Sequence, residues 1–504
     1  MLIFKILIIV IIVEIMLALN KLKVFKEPYT GSTAQKVIIL YIIIIFVIML
    51  LSKPMFCVKY LDEDNDIYNK YLVDAIIQGK ASIDLEPSEE LKKLENPYNI
   101  EDRQNIDYSF DTAYYNGKYY VYFGAVPAVL LFVPYKIITG QYLGTDVGTF
   151  IFVILSMIAS TMLIIEIYKR WFKKLPFAML IIFIISGLIS GMYVWNTWRM
   201  WTYELAIMSG YFFVQFGLWL MMKATRDLNR LKLKYVFLSC LSMALAVGCR
   251  PTLVLASALL LPFIYDILKN TKKENRVNLL KTIASIIIPY IIVAIPIMIY
   301  NYARFGSIFE FGAKYQLTVV NVTDLSNRYK DIPKGLYQYL LQPPKIVHEF
   351  PYLQVDYSTE GFTLNYHNGG IISGIIFLNL TIISCIFLYK YYKRSNDDIL
   401  KGLMFFLPII GIVMCIVTVV VGASIQRYVV DFFWMFSYLG MIIWFLMYEN
   451  AKSETRKKCI FMMLLILILV SIIMNFYGTF LNSEYDYIRT YCPKLFKYFY
   501  DILH

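Results

Sequence analysis

Charge is scarce in this chain. Only 17% of its 504 residues are Asp, Glu, Lys or Arg, and 59% are aliphatic, aromatic, Met or Cys. A soluble domain of ordinary composition carries about a quarter charged residues. The scarcity is local as well as global, since stretches such as 37–51 and 461–474 hold no charge at all. Cysteine is sparse too. The seven (Cys57, Cys240, Cys249, Cys385, Cys415, Cys459 and Cys492) form no CxxC pair, which argues against a thiolate metal centre or a redox motif. Five fall in or beside apolar runs, where a small buried hydrophobe is the expected role; Cys57 and Cys492 are left as a candidate disulfide. His348 and His367 have no ligand spacing and read as structural. No repeat and no low-complexity linker breaks the chain.

What is present is long apolar runs. A helix needs about 20 mostly apolar residues to cross the hydrocarbon core, because unpaired backbone groups are not tolerated in lipid. Spans are expected near 2–20, 37–53, 147–168, 175–195, 203–222, 235–249, 251–268, 280–300, 371–391, 401–422, 429–447 and 458–477. No small-residue cleavage site follows the first, so it is read as retained. The lysines and arginines sort themselves. Lys21, Lys23, Lys26 and Lys36 follow span one, Lys169, Arg170, Lys173 and Lys174 span three, and Lys223, Arg226, Arg230, Lys232 and Lys234 span five. Further clusters follow spans seven (269–281), nine (390–394) and eleven (452–458). Strict alternation places every one of these loops on the same side, the inside by the positive-inside rule. The net charge of +12 is therefore an orientation signal. No aromatic-interleaved basic face is present, so no nucleic-acid partner is expected.

The fold class expected is an all-α polytopic membrane protein, a helix bundle with two extracytoplasmic loop domains. The divisions are 1–36 (an extra N-terminal span and inner loop), 37–53 (a span), 54–146 (first extracytoplasmic domain with interfacial helices) and 147–300 (six spans). There follow 301–370 (second extracytoplasmic domain), 371–477 (four spans) and 478–504 (extracytoplasmic tail). The first outer segment is acidic. Residues 121–138 are apolar enough to mimic a span, but counting them would put the basic cluster at 169–174 outside, and Pro127 and Pro134 interrupt them. They read as a helix or broken helix on the outer membrane surface. Residues 66–79 carry Tyr68, Tyr71, Leu72, Ala75, Ile76 and Gly79 on one side and Asp66, Asn69, Lys70 and Asp74 on the other, an amphipathic helix suited to the interface. Tyr115-Asn116-Gly117-Lys118 reads as a tight Asn-Gly turn.

Candidate chemistry lies at the outer face. Asp62-Glu63-Asp64-Asn65-Asp66 puts four acids in five residues directly after span two. Such a cluster is stabilised by a cation, with carboxylate oxygens suiting Mg²⁺ or Mn²⁺, or by service as a base on a hydroxyl; the bland reading is a solvated acidic loop. Arg199, Arg250, Arg304 and Arg427 all sit at outer span ends, where a guanidinium forks onto a lipid phosphate. Interfacial snorkelling or internal pairing, such as Arg427 with Asp431 four residues on, is the competing role. The aromatic and glycine run from Asn301 through Phe305, Gly306, Phe309 and Gly312 to Tyr315, together with Tyr68 and Tyr122, supplies candidate platforms for a sugar or acceptor. An aromatic belt at the membrane boundary is the plainer reading of the same residues. Asn321-Val322-Thr323 matches a glycosylation acceptor pattern that many chains contain by chance.

An outer loop that opens with acids after an early span, an amphipathic helix ending in Gly79, and a surface helix at 124–140 together resemble the GT-C glycosyltransferases that use polyprenyl-phosphate sugars. The likeness is to the bacterial relatives of protein mannosyltransferases and aminoarabinose transferases. In that family an Asp-Glu pair is followed four residues on by Tyr and then by a Gly ending the helix. Asp64, Tyr68 and Gly79 match that spacing, with Asn65 in place of the second acid, and Asp62-Glu63 offers the pair two residues earlier. The stretch 119–127, with Gly124 and Pro127, is similar to the opening of the family's surface helix. The extra span at 2–20 departs from the family's usual arrangement. The resemblance implies a polyprenyl-phosphate sugar as donor, an extracytoplasmic acceptor, Asp64 (or Asp62 or Glu63) as base, and a metal, if there is one, on Asp62, Asp64 and Asp66. The donor phosphate would lie on Arg304 or Arg427, with Arg250 and Arg199 nearby. The Ile- and Lys-rich composition points to an AT-rich bacterial genome, and the location expected is a bacterial plasma membrane with the active site outside. A lipid-linked glycan flippase, for which mid-span charges are expected, is the main rival; Glu14 is the only clear mid-span carboxylate, and Glu166 and Asp266 lie near inner ends. A polysaccharide polymerase or ligase fits the same residue types, as does a relative that has lost its activity.

Overall fold

The computed structural model describes residues 22–56, 67–197, 200–227, 231–271, 276–318, 328–342, 345–348, 350, 352–354, 387–422, 425–478 and 493–503. The expected span 2–20, most of the span at 371–391, the acidic cluster 62–66 and both cysteines of the candidate disulfide lie outside them. Among the described residues the fold is helical, with two small antiparallel hairpins. In chain order the helices are α1 (Thr33–Phe56), α2 (Val73–Ile77), α3 (Glu89–Lys93) and α4 (Val133–Thr139), then α5 (Thr145–Trp171), α6 (Phe177–Ser190), α7 (Thr202–Ala224) and α8 (Leu233–Cys249). There follow α9 (Leu261–Thr271), α10 (Arg276–Phe305), α11 (Ile332–Leu340), α12 (Asp398–Gly422), α13 (Phe433–Glu449), α14 (Glu454–Gly478) and α15 (Pro493–Leu503). The hairpins are β1 (Ala113–Tyr115) with β2 (Lys118–Tyr120), and β3 (Lys345–Ile346) with β4 (Leu353–Gln354).

Among the described residues, five helical stretches are long and apolar enough to cross a membrane: Thr145–Trp171, Thr202–Ala224, Pro251–Thr271, Arg276–Phe305 and Asp398–Val421. Each coincides with an expected span. The stretch from Pro251 differs in winding. It runs as a 3₁₀ helix over Pro251–Leu260 before becoming α9. Pro251 suits its first position, since it has no N–H to leave unpaired.

The central helices pack through small residues. Ser239 and Ser242 of α8 donate to the Gly217 and Phe213 carbonyls of α7, each at 2.7 Å, and Ser156 of α5, which donates to its own helix's Phe152 carbonyl at 2.6 Å, approaches the Met208 carbonyl of α7 at 3.2 Å. Ser and Gly let two helix backbones approach closely enough for such bonds, which satisfy hydroxyls that would otherwise be orphaned in an apolar interior. The periphery is apolar as well. Ile287, Ile291, Ile295 and Ile299 of α10 and Leu40, Ile44 and Ile48 of α1 are all exposed. A contiguous surface of that kind marks contact with an apolar medium or partner.

The helix ends sort into two sets. At the lysine-rich end Arg226 pairs with Glu166, Arg170 donates to Thr225 at 2.9 Å, and Lys269 lies 3.3 Å from Asp398. The segment before α1 docks there too, with Phe177 N–H donating to the Glu27 carbonyl at 2.8 Å and Tyr29 stacked on Phe177. At the opposite end α7, α8, α10 and α13 meet the long segments between spans. Among the described residues, basic segments next to α1, α5, α7 and α9 thus meet at one end of the bundle.

The segment before α5 is built from turn chemistry. Asn116 and Gly117 both have positive φ (48° and 72°), the geometry of the expected Asn-Gly hairpin turn between β1 and β2. Residues 67–77 are helical as expected, beginning as one π-helical stretch (Ile67–Leu72) and ending near Gly79 at φ 69°. Leu72, Val73 and Ala75 are buried. The run 121–138 is not one continuous helix. Its first residues are not helical, and after Pro127 a π-helical turn (Ala128–Phe132) leads into α4, which stops at left-handed Gly140. Ala128 and Phe132 face inward, while Val129, Leu130, Ile137 and Ile138 are exposed.

Gly124 fixes this segment against the bundle. A Cβ there would overlap the carbonyls of Gly248 and Cys249 at the end of α8. Gly124→Ala is expected to push the segment off that helix end and lower stability by about 1–3 kcal/mol, the usual cost of overpacking a tight contact. The melting temperature of the detergent-solubilised protein checks this; an unchanged value would contradict the close approach.

Candidate functional site

Three interruptions of helical structure meet at the end opposite the lysine-rich loops: the start of α7, the break at Arg250 between α8 and the 3₁₀ helix, and a second 3₁₀ turn at Gln426–Asp431 before α13. Each brings a charge. Arg250 Nη2 lies 2.9 Å from Asp431 Oδ2, and Arg427 Nη1 lies 3.9 Å from Glu204 Oε1. Glu204 is the third residue of α7, and its other oxygen accepts from the Trp201 N–H at 3.3 Å, so it caps the helix as well as facing the arginine. The side chains of Asp431 and Glu204 are 3% and 4% exposed, against 18% and 21% for Arg250 and Arg427. The carboxylates lie beneath and the guanidiniums towards the opening.

This pairing corrects an expectation. Arg427 and Asp431 are four residues apart but do not pair with each other. The segment is 3₁₀, in which residues three apart eclipse and residues four apart diverge by about a third of a turn, so each side chain finds a partner on another element.

Aromatic rings join the two pairs. The Tyr428 ring lies 4.9 Å from the Arg250 guanidinium and 5.3 Å from that of Arg427, which also sits 4.2 Å over Tyr203. The Phe123 edge meets Tyr203 at 5.1 Å, and Tyr122 packs on Phe123 at 4.1 Å. Cation–π contact supports a desolvated guanidinium without consuming its N–H donors.

The two long segments close over this cluster as one unit. The Asp111 N–H donates to the Leu317 carbonyl, and the Leu317 N–H to the Thr112 carbonyl, each at 2.9 Å. Gln316 Nε2 donates to Asp111 Oδ1 and to the Tyr122 hydroxyl oxygen, both at 2.7 Å. Arg103 donates to the Thr318 carbonyl at 2.8 Å. Asp111 has φ 57°, a left-handed conformation that Asp tolerates better than most residues.

Of the phosphate-binding candidates, Arg250 and Arg427 are brought together. Arg304 is at the same end but engaged otherwise. It is 5% exposed, donates to the Val121 carbonyl and to Asn301 Oδ1 at 2.6 Å each, and stacks on Tyr300. Its hydrogen bonds tie α10 to the segment after β2, so it is a clamp rather than a phosphate ligand. Arg199 lies outside the described residues. Among the platform candidates, Phe305 and Tyr315 are corrected. Phe305 is buried against Tyr115, Tyr120 and Tyr315, and the partly buried Tyr315 ring lies 4.5 Å from Tyr115, so these rings pack as a small core with the hairpin and Phe305 offers no free face to a ligand. Tyr122 belongs to the cluster. Tyr68 lies in the helical stretch 67–77, but nothing is described of its side chain.

Asp62, Glu63, Asp64 and Asp66 lie outside the described residues, and with them the residues expected to hold a divalent cation. Among the described residues no group of three or more His, Cys, Asp or Glu is placed to bind a metal. Glu204 and Gln316 were not anticipated. A carboxylate three residues into an otherwise apolar run is a legible signal for the first, and local sequence holds none for the second.

Burial raises the pKa of Tyr98, Tyr119, Tyr120 and Tyr122 above the ordinary value of 10, and the neighbouring Asp111 raises Tyr122 further. The neutral phenol is the folded form. Stability from these groups is complete below pH 10 and is lost as pH rises through the folded values. Tyrosinate absorbance is expected to lag the ordinary titration and then appear together with loss of near-UV circular dichroism. A simple titration centred at pH 10, with no structural change, would contradict this packing.

No protein-family model, curated protein or solved structure matches the chain.

Proposed function

We propose that this chain is a multi-pass membrane glycosyltransferase of GT-C type. In this reading it moves a sugar from a polyprenyl-phosphate carrier to an acceptor outside the cell. The apolar periphery faces lipid, the lysine-rich end is cytoplasmic, and the end bearing Arg250 and Arg427 is extracytoplasmic. The observation that carries the reading is the arginine pair: two partly exposed guanidiniums, bridged by Tyr428, beneath the segments that close that end. The apolar face of residues 128–139 supports it, since Val129, Leu130, Ile137 and Ile138 suit the level of lipid headgroups.

The chemistry follows from charge. In sugar transfer the acceptor hydroxyl gives its proton to a carboxylate as its oxygen bonds to the anomeric carbon. The bond from that carbon to the phosphate oxygen breaks on the opposite face, and the configuration inverts. Negative charge grows on the departing phosphate, where fixed guanidinium donors in a water-poor site stabilise it. Asp64 is the proposed base, with Asp62 and Glu63 next in line for that role. A divalent cation held by Asp62, Asp64 and Asp66 would supply further positive charge there.

Cells lacking the protein are expected to accumulate one polyprenyl-phosphate sugar. The intact protein is expected to clear it, and Asp64→Asn or Arg427→Ala is expected not to. Clearance by Arg427→Ala at the intact rate would overturn the phosphate site. Clearance by Asp64→Asn alone would move the base to Asp62 or Glu63. No accumulation in any strain would count against the transferase itself.

A further inference from the structure

We propose that Tyr122 is a ligand-positioning residue whose hydroxyl hydrogen is kept for an acceptor oxygen of the molecule held by Arg250 and Arg427. The inference rests on the arginine pair being an anion site, and it replaces the role of stacking platform with that of a directed donor.

Gln316 Nε2 lies 2.7 Å from both Asp111 Oδ1 and the Tyr122 hydroxyl oxygen. An ionised carboxylate only accepts, so the amide must present its NH₂ group, not its oxygen, to Asp111. Both N–H bonds are then committed, one to the carboxylate and the other to the phenol oxygen, which accepts. The phenol's own hydrogen is left over, and no acceptor for it is found among the described residues. Tyr122 is only partly buried, so this uncommitted donor is within reach of a ligand oxygen that comes to accept it. The ring is held on Phe123, which abuts Tyr203 under the Arg427 guanidinium. A phosphate oxygen, which accepts and never donates when ionised, suits a position between that guanidinium and the phenol.

The direction of this relay is set at Asp111. Its backbone is fixed by the bond to Leu317 and by its left-handed conformation, and its Oδ1 orients Gln316. With Asn in its place the side chain can donate instead. The Gln316 amide is then free to turn its oxygen towards Tyr122 and take up the hydrogen the ligand needs. Asp111 and Gln316 act through Tyr122 and are positioning residues at one further remove.

The test uses the full chain in nanodiscs with geranyl phosphate, a ten-carbon isoprenyl monophosphate, as probe. Tyr122→Phe is expected to weaken binding roughly ten- to a hundred-fold, the usual weight of a hydrogen bond to a charged group, at an unchanged melting temperature. Asp111→Asn is expected to weaken it in the same direction, and the combined variant to bind no worse than Tyr122→Phe alone. Losses that multiply in the combined variant would overturn the relay, because a structural role for Asp111 would act regardless of residue 122. If Asp111→Asn does not fold, Tyr122→Phe decides alone. Binding that depends on Arg427 but is unaffected by Tyr122→Phe overturns the inference and leaves the anion site standing. Binding indifferent to Arg427→Ala overturns the anion site and this inference with it.

Discussion

Two buried ion pairs at one end of the bundle constrain much of the rest. Taking a carboxylate out of water costs several kcal/mol even after relaxation, and it is tolerated only with a well-placed counter-charge. Asp431 faces Arg250 at 2.9 Å and Glu204 faces Arg427 at 3.9 Å, each arginine coming from another element. Arg250 stands where α8 breaks before Pro251, and Asp431 and Arg427 lie on the 3₁₀ turn leading into α13. Satisfying both pairs fixes the α8 break, the start of α7 and that turn in one arrangement. Small-residue contacts among α5, α7 and α8 set how closely those helices lie.

The segments between spans depend on that end in turn. Gly124 lets the chain after β2 cross the terminus of α8 in contact with its carbonyls. Arg304 holds the same chain from the other side through the Val121 carbonyl. Residues 316–318 then bond to Asp111, Thr112 and Arg103, so that two segments more than 200 residues apart in sequence are joined beside the arginine cluster.

Much of the helical framework was legible in the sequence, for a simple reason. Apolar runs of about 20 residues have few options besides a helix, and the basic loops carry their side of the bundle in their charge. The Asn116-Gly117 turn and the broken run after Pro127 were legible because Gly, Asn and Pro restrict the backbone directly. The partners of the charged groups were not. Periodicity suggested Arg427 with Asp431, but that spacing rule belongs to the α-helix and fails in a 3₁₀ turn. Arg304 read like any interfacial arginine, and only tertiary structure commits its donors to Val121 and Asn301. Phe305 and Tyr315 read as a platform because an aromatic in a packed core and one at a binding face look alike in sequence. Gln316 joins Asp111 and Tyr122 across about 200 residues, a contact that no local pattern encodes.

The central claim is that the Arg250–Asp431 pair holds the bundle's end together as a coupled unit, and a double-mutant cycle tests it most directly. Melting of the purified protein would be compared for the intact chain, Arg250→Met, Asp431→Leu and the two combined. Arg250→Met leaves the buried Asp431 without its partner and is expected to cost about 3–5 kcal/mol, Asp431→Leu leaves the partly exposed Arg250 and is expected to cost less, and removing both is expected to cost far less than the sum. Strict additivity of the two losses, or single variants as stable as the intact protein, would show that the pair does not carry the architecture described.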